Sequence, residues 1–189
     1  MWKKIRKTLS EWFQMIVLSV VVAILINLFV FQPVRIEGES MIPTLQNEDY
    51  VILSKLGRTF NMDLKYGDIV VIDRSGEKSR SIFDEIQKTG IFNNKVDEKK
   101  LIIKRIIGLE GDKVDIRDGR VYRNGILLDE PYLLDEIMLE PNDSYLVPPG
   151  HVFVLGDNRN NSLDSRLIGY IPIESIQGTM VLDISELLR

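Results

Sequence analysis

Leu101-Ile102-Ile103-Lys104-Arg105-Ile106-Ile107-Gly108 sets two adjacent cations inside a run of branched aliphatic residues, a composition that favours a β-strand. Alternate residues of a strand share a face. Lys104 therefore lies between Ile102 and Ile106, while Arg105 points the other way, between Ile103 and Ile107. An ammonium on an apolar face is costly to desolvate, and that cost lowers its pKa. A lysine titrating near 10.4 is neutral at pH 8 only about once in a few hundred molecules. Bringing it to about 7–8, where a general base works well, takes roughly 3–5 kcal/mol of differential destabilisation of the charged form. Lys104 is thus either a lysine that snorkels to the strand edge or a candidate base, and periodicity alone favours the first.

On either side of this strand the chain is punctuated in the same way. Tyr50–Ser54, Asp68–Asp73, Lys113–Ile116, Arg120–Tyr122, His151–Leu155 and Gly178–Ile184 are further candidate strands. Asp118-Gly119 and Asn124-Gly125 are hairpin turn signals between short strands. This pattern predicts a mainly β domain, a small barrel or folded sheet. Residues 74–100 interrupt it with a polar, charged excursion that holds a short amphipathic patch at Ile82, Phe83 and Ile86.

The other end of the chain has a different solvent in view. Residues 12–31, WFQMIVLSVVVAILINLFVF, carry no formal charge, and twenty residues of helix cover about 30 Å, a hydrocarbon core. Lys3, Lys4, Arg6 and Lys7 precede the run, whereas Arg35 is the single cation just after it. The positive-inside rule then predicts 1–11 in the cytoplasm, 12–31 as a transmembrane anchor and 32–189 as an extracytoplasmic domain. A cleaved signal peptide would carry a shorter apolar region ending in a small-x-small site, and Phe31-Gln32-Pro33-Val34 offers none. A buried core helix of a soluble protein is the other alternative.

Removing Lys3, Lys4, Arg6, Lys7 and Glu11 from the 24 basic and 28 acidic residues leaves 20 and 27, a net charge of −7 on the outer domain. That argues against a phosphate-tracking nucleic-acid binder. The absence of cysteine rules out disulfides and thiol chemistry. There is no H-E-x-x-H, P-loop or dinucleotide fingerprint, so neither a metal nor another cofactor is expected.

Ser40, in Gly38-Glu39-Ser40-Met41-Ile42-Pro43-Thr44, stands nine residues beyond the apolar run. A fully extended chain from Phe31 reaches at most about 30 Å, so Ser40 works close to a bilayer surface. A nucleophilic serine needs a base. His151, the only histidine, opens a strand after Pro148-Pro149-Gly150, and the G-x-S-x-G elbow is missing, so a structural histidine is the simpler reading. Lysine remains as a base.

VRIEGESMIPTL at 34–45, YGDIVVI at 66–72, KRIIGLEGDKV at 104–114 and GDNRNNSLDSRLIGYIP at 156–172 together resemble the boxes of bacterial type I signal peptidases. NGILLDEPY at 124–132 is similar to a further stretch of that family. The resemblance implies a signal-peptidase-like β catalytic domain, resting on the outer membrane surface behind one N-terminal transmembrane helix. It implies Ser40 as nucleophile and Lys104 as general base. Ser162 matches a serine that helps to orient the lysine, and Asp164 and Arg166 match a supporting carboxylate and guanidinium. Ile36, Met41 and Ile103 match positions lining shallow pockets for small residues. The implied substrates are signal peptides of exported precursors, cut after Ala-x-Ala motifs at the outer face of the cytoplasmic membrane.

Two positions depart from the pattern. Gly38 replaces a serine that adds to the oxyanion hole in some members, and Asn160 stands where aspartate is frequent. A self-cleaving stress-repressor protease shares the chemistry but carries a DNA-binding domain where this chain has its apolar run. The alternative of another class is a membrane-tethered β binding module that catalyses nothing.

Overall fold

The computed structural model describes residues 2–55, 64–74, 101–134, 138–139 and 141–185. Beyond Arg74, the polar excursion expected at 74–100 lies outside these described residues.

Helix α1 (Trp2–Phe29) takes in residues 12–29 of the apolar run, and strand β1 (Phe31–Arg35) begins after a single joining residue, Val30, so Phe31 belongs to the sheet and not to the helix. Within α1, Arg6–Ile24 is long and apolar enough to cross a membrane, and none of it is buried against the rest of the chain. Trp12, Phe13, Met15 and Leu18 are all exposed, which does not suit a core helix.

Everything after the helix is dominated by antiparallel sheet. In chain order the strands are β2 (Tyr50–Ser54), β3 (Ile69–Asp73), β4 (Leu101–Gly108), β5 (Lys113–Arg117), β6 (Arg120–Arg123), β7 (Ile126–Leu127), β8 (Asp143–Leu146), β9 (His151–Leu155), β10 (Ile171–Pro172) and β11 (Ile176–Asp183). A one-turn helix, α2 (Ser165–Ile168), precedes β10. Seven strands form one sheet in the order β1-β2-β11-β3-β4-β9-β10, and four form a second in the order β7-β6-β5-β8. Among the described residues the large sheet is open, with β1 and β10 at its edges, a curled half-barrel. Register shifts at Met180/Leu182, Ile176/Gly178 and Ile106/Gly108 supply bulges that bend it.

Both expected turns form. Asp118 and Gly119 (φ 51° and 74°) join β5 to β6, and Asn124 and Gly125 (φ 53° and 82°) join β6 to β7. Positive φ at both central residues matches the right-handed twist of a hairpin, and Asx-Gly adopts it at low cost.

Strand β4 ties the cores together. Ile103 joins Ile36, Met41, Leu45, Val51, Leu53, Ile69 and Val71, and Ile107 joins Val114, Ile116, Val121, Phe153 and Leu155 between the two sheets. Ile106, of opposite parity, packs with Val70, Ile72, Val152 and Val154. The two faces of β4 thus separate as period-two alternation requires.

Candidate active site

Ser40 sits in the loop between β1 and β2. The loop is closed at its base by Ile36 N–H donating to the Asp49 carbonyl (2.7 Å) and Glu48 N–H donating to the Ile36 carbonyl (2.8 Å). Met41 and Leu45, each 1% exposed, plug the loop into the apolar core, and Leu45 N–H bonds the Met41 carbonyl (2.9 Å) in a single helical turn. Gly38 has φ +98°, and a Cβ placed there would meet nothing within 4 Å. Space is therefore available for a side chain, but the backbone conformation favours glycine.

Lys104 comes to Ser40 from the middle of β4. Its Nζ lies 2.6 Å from Ser40 Oγ and donates to the Ile103 carbonyl at 2.7 Å. The side chain does not snorkel, since Lys104 is 3% exposed. Burial pushes the ammonium down to about 8, against the pull of the Asp164 and Asp157 carboxylates, with the Arg74 cation adding to the fall. At pH 8 about half of such lysines are neutral, against one in a few hundred for an ordinary lysine.

The neighbouring strand ends where space is needed. Arg105 pairs with Leu155, so the next position along β9, opposite Lys104, is Gly156, where the chain leaves the sheet. A Cβ on Gly156 would collide with the Ser162 side chain and come within 2.5 Å of the Ser40 carbonyl oxygen. Asn158 then holds the serine loop from this side. Its N–H donates to the Ser40 carbonyl (3.0 Å), and its Nδ2 donates to the Glu39 carbonyl (3.2 Å).

Asp164 and Arg166 form an ion pair. Arg166 Nε and Nη2 donate to the two Asp164 oxygens at 2.8 and 2.9 Å, and Asp164 is fully buried. Asp164 also accepts from Gly156 N–H at 3.0 Å, so the pair anchors the residue opposite Lys104. The Ser162 hydroxyl is buried beside Gly156 without a hydrogen-bond partner among the described residues. Ile36, Met41 and Ile103 are brought together, at 3%, 1% and 7% exposure, within one core cluster beneath the serine loop. His151 faces its own turn, with Nδ1 2.8 Å from the Pro149 carbonyl oxygen.

The sequence reading missed a second network on the opposite face of β4. Arg105 Nε and Nη2 bind Asp157 Oδ1 and Oδ2 at 2.8 and 2.6 Å, and Thr44 Oγ1 donates to Asp157 Oδ2 at 2.5 Å. Asp157 is fully buried, so the pair joins the serine loop, β4 and the loop after β9 at one carboxylate. An arginine inside an aliphatic strand signals the need for such a partner. Its identity, 52 residues away, is not readable from local pattern.

A family model described as signal peptidase, peptidase S26, matches residues 9–184. Signal peptidase I S of Bacillus subtilis (strain 168) is 35% identical over 191 residues, covering 92% of this chain and 88% of that protein. Thylakoidal processing peptidase 1, chloroplastic, of Arabidopsis thaliana is 38% identical over 163 residues, covering 86% of this chain and 44% of that protein. A crystal structure of a signal peptidase I from Enterococcus faecalis V583 aligns with a TM-score of 0.46 at 26% identity, covering 64% of this chain and 98% of the other. The class is that of serine peptidases, hydrolases of the peptide bond. Within it, the chain belongs to the signal peptidase family, peptidase S26.

Proposed function

We propose that this protein removes signal peptides from exported precursors, with Ser40 as nucleophile and Lys104 as general base. The observation that carries the assignment is the 2.6 Å contact between Lys104 Nζ and Ser40 Oγ, with the lysine buried. Neutral Lys104 has one lone pair for the Ser40 proton, while an N–H of the amine holds the Ile103 carbonyl. Ser40 Oγ attacks the scissile carbonyl carbon, and the Ser40 N–H stabilises the resulting oxyanion. The C–N bond then breaks, and the protonated lysine returns its proton to the leaving amine. Lys104 next deprotonates a water that attacks the acyl ester, releasing the carboxylate and restoring Ser40 Oγ–H.

In this reading Asp164 and Arg166 support the site through Gly156, and the lysine-orienting part that the resemblance implies for Ser162 falls to a hydroxyl that is buried beside Gly156 and not bonded to Lys104. Ile36, Met41 and Ile103 form the apolar floor against which small side chains before the cut are accommodated, giving preference for Ala-x-Ala. Residues 1–11 are cytoplasmic, 12–31 hold the membrane anchor, and 32–189 act at the outer face of the cytoplasmic membrane.

The test is incubation of the detergent-solubilised protein with a precursor bearing an Ala-x-Ala site, with the cut mapped by mass spectrometry. Cleavage after the second alanine, lost in both Ser40→Ala and Lys104→Ala, is the expected result. A folded wild type that leaves the precursor intact across pH 7–10 would make the protein a tethered binding module instead.

A further inference from the structure

The stretch NGILLDEPY, quoted above without a role, leads from β7 to a point directly behind the loop that leaves β9. Glu130 receives Arg159 there in a two-point ion pair, Nη2 to Oε1 at 2.6 Å and Nη1 to Oε2 at 3.0 Å. Both side chains are withdrawn from water, at 1% exposure for Arg159 and 6% for Glu130. Tyr132 completes the arrangement. Its hydroxyl donates to Glu130 Oε1 at 2.8 Å, and its ring lies 3.9 Å beneath the Arg105 guanidinium. Burial, with the Glu130 carboxylate beside it, holds the Tyr132 phenol well above its ordinary range, so it stays a donor.

Arg159 spends its remaining nitrogen on the site, since its Nε donates to the Gly156 carbonyl at 2.9 Å. Gly156 is therefore held at both ends of its backbone, its N–H by Asp164 and its carbonyl by Arg159. Arg166 fixes Asp164, and Glu130 fixes Arg159. Arg166 also donates to the Arg159 carbonyl at 2.7 Å, joining the two braces. We propose that Glu130, held by Tyr132, is a positioning residue for the Ser40–Lys104 pair, acting through Arg159 on Gly156. The inference rests on the function proposed above and extends it to residues outside the dyad. A slack Gly156 lets the loop withdraw from Ser40 and admits water beside Lys104, whose charged neighbours are Asp164, Asp157 and Arg74.

The experiment compares full-length wild type, Glu130→Gln and Tyr132→Phe on a soluble Ala-x-Ala peptide, measuring kcat and KM across pH 7–10. Ile116→Val, a substitution in the core between the sheets, serves as the control for lost stability alone. Glu130→Gln is expected to lower kcat on the order of tenfold, with KM changed by less than about twofold. Its pH profile is expected to shift upward by about half a unit as Lys104 regains water. Tyr132→Phe keeps the ring under Arg105 and leaves no charge unpaired, so it folds even where Glu130→Gln does not, and it moves both readouts the same way. Ile116→Val lowers the melting temperature and moves neither. Wild-type kcat and pH profile in folded Glu130→Gln would overturn the proposal. So would the same result in Tyr132→Phe where the glutamine variant is unfolded. A wild type that cleaves while the variants match it removes this inference alone, whereas a wild type that leaves the peptide intact removes both readings.

Discussion

At the residue scale the molecule turns on keeping a cation dry. Lys104 titrates near 8 when folded and near its ordinary value of 10.5 when unfolded. Between those values the unfolded chain binds more protons, so stability rises with pH across that window. The cost is fully present below about pH 8 and vanishes by about 10.5, and it amounts to roughly 3 kcal/mol at neutral pH. Lys104→Met, which keeps the stem and removes the charge, should therefore abolish hydrolysis yet raise the melting temperature at pH 7. That advantage should shrink as pH approaches 10, as thermal melts of both proteins along a pH series would reveal. An advantage independent of pH would mean that the folded lysine is already solvated. Alternation along β4 set Lys104 on an apolar face between Ile102 and Ile106 but still favoured a snorkelling side chain, and it was the family resemblance that pointed to a buried base. Alternation could not reveal where Arg105 on the other face finds its counter-charge, since Asp157 arrives from another strand end.

At the element scale, strands with branched residues and turn punctuation were readable to within a residue or two. Tyr50–Ser54 and His151–Leu155 form with the expected limits. Strand β1 was not anticipated, because Phe31 belongs by composition to the apolar run and Pro33 weakens a strand. The proline is tolerated because β1 is an edge, where its missing N–H costs no ladder bond. Strands β7 and β10 are two residues long, too short for periodicity, and β8 (Asp143–Leu146) carries mostly exposed positions. The departure of the chain from β9 at Gly156 is equally specific to the element, since a methyl group there would push against both Ser162 and Ser40. Gly156→Ala should fold with a loss of about 1–3 kcal/mol and lose on the order of 100-fold or more in kcat. Denaturant unfolding beside peptide hydrolysis separates the two effects, and a variant retaining wild-type kcat would show that the loop yields freely.

At the scale of the whole molecule, the sequence made the division into apolar helix and β domain legible but not the order of strands. The last strand, β11, inserts between β2 and β3, so the end of the described chain lies in the middle of the large sheet. Nothing in the local pattern of Ile176–Asp183 (IQGTMVLD) specifies those neighbours, because both edges of a strand offer the same backbone N–H and C=O groups. The anchor gives the assembled enzyme a prediction of its own. Enzyme and precursor reconstituted in the same vesicles should react on the order of 100-fold faster than the two in separate vesicles at equal total concentration, through effective concentration alone. Equal rates would show that the helix contributes no tethering.

The one-residue joint at Val30 carries this further. Its carbonyl accepts from the N–H of Lys55, the residue after β2, at 2.8 Å, so the β1–β2 ladder runs up to the foot of the helix. A spanning helix leans to match the thickness of its bilayer. With a joint of one residue, that lean becomes a swing of the whole sheet, and Ser40 rises or sinks like the tip of a lever. Lipid chain length should then tune the cutting of membrane-held precursors while leaving hydrolysis of a free peptide unchanged, making bilayer thickness a control dial on secretion.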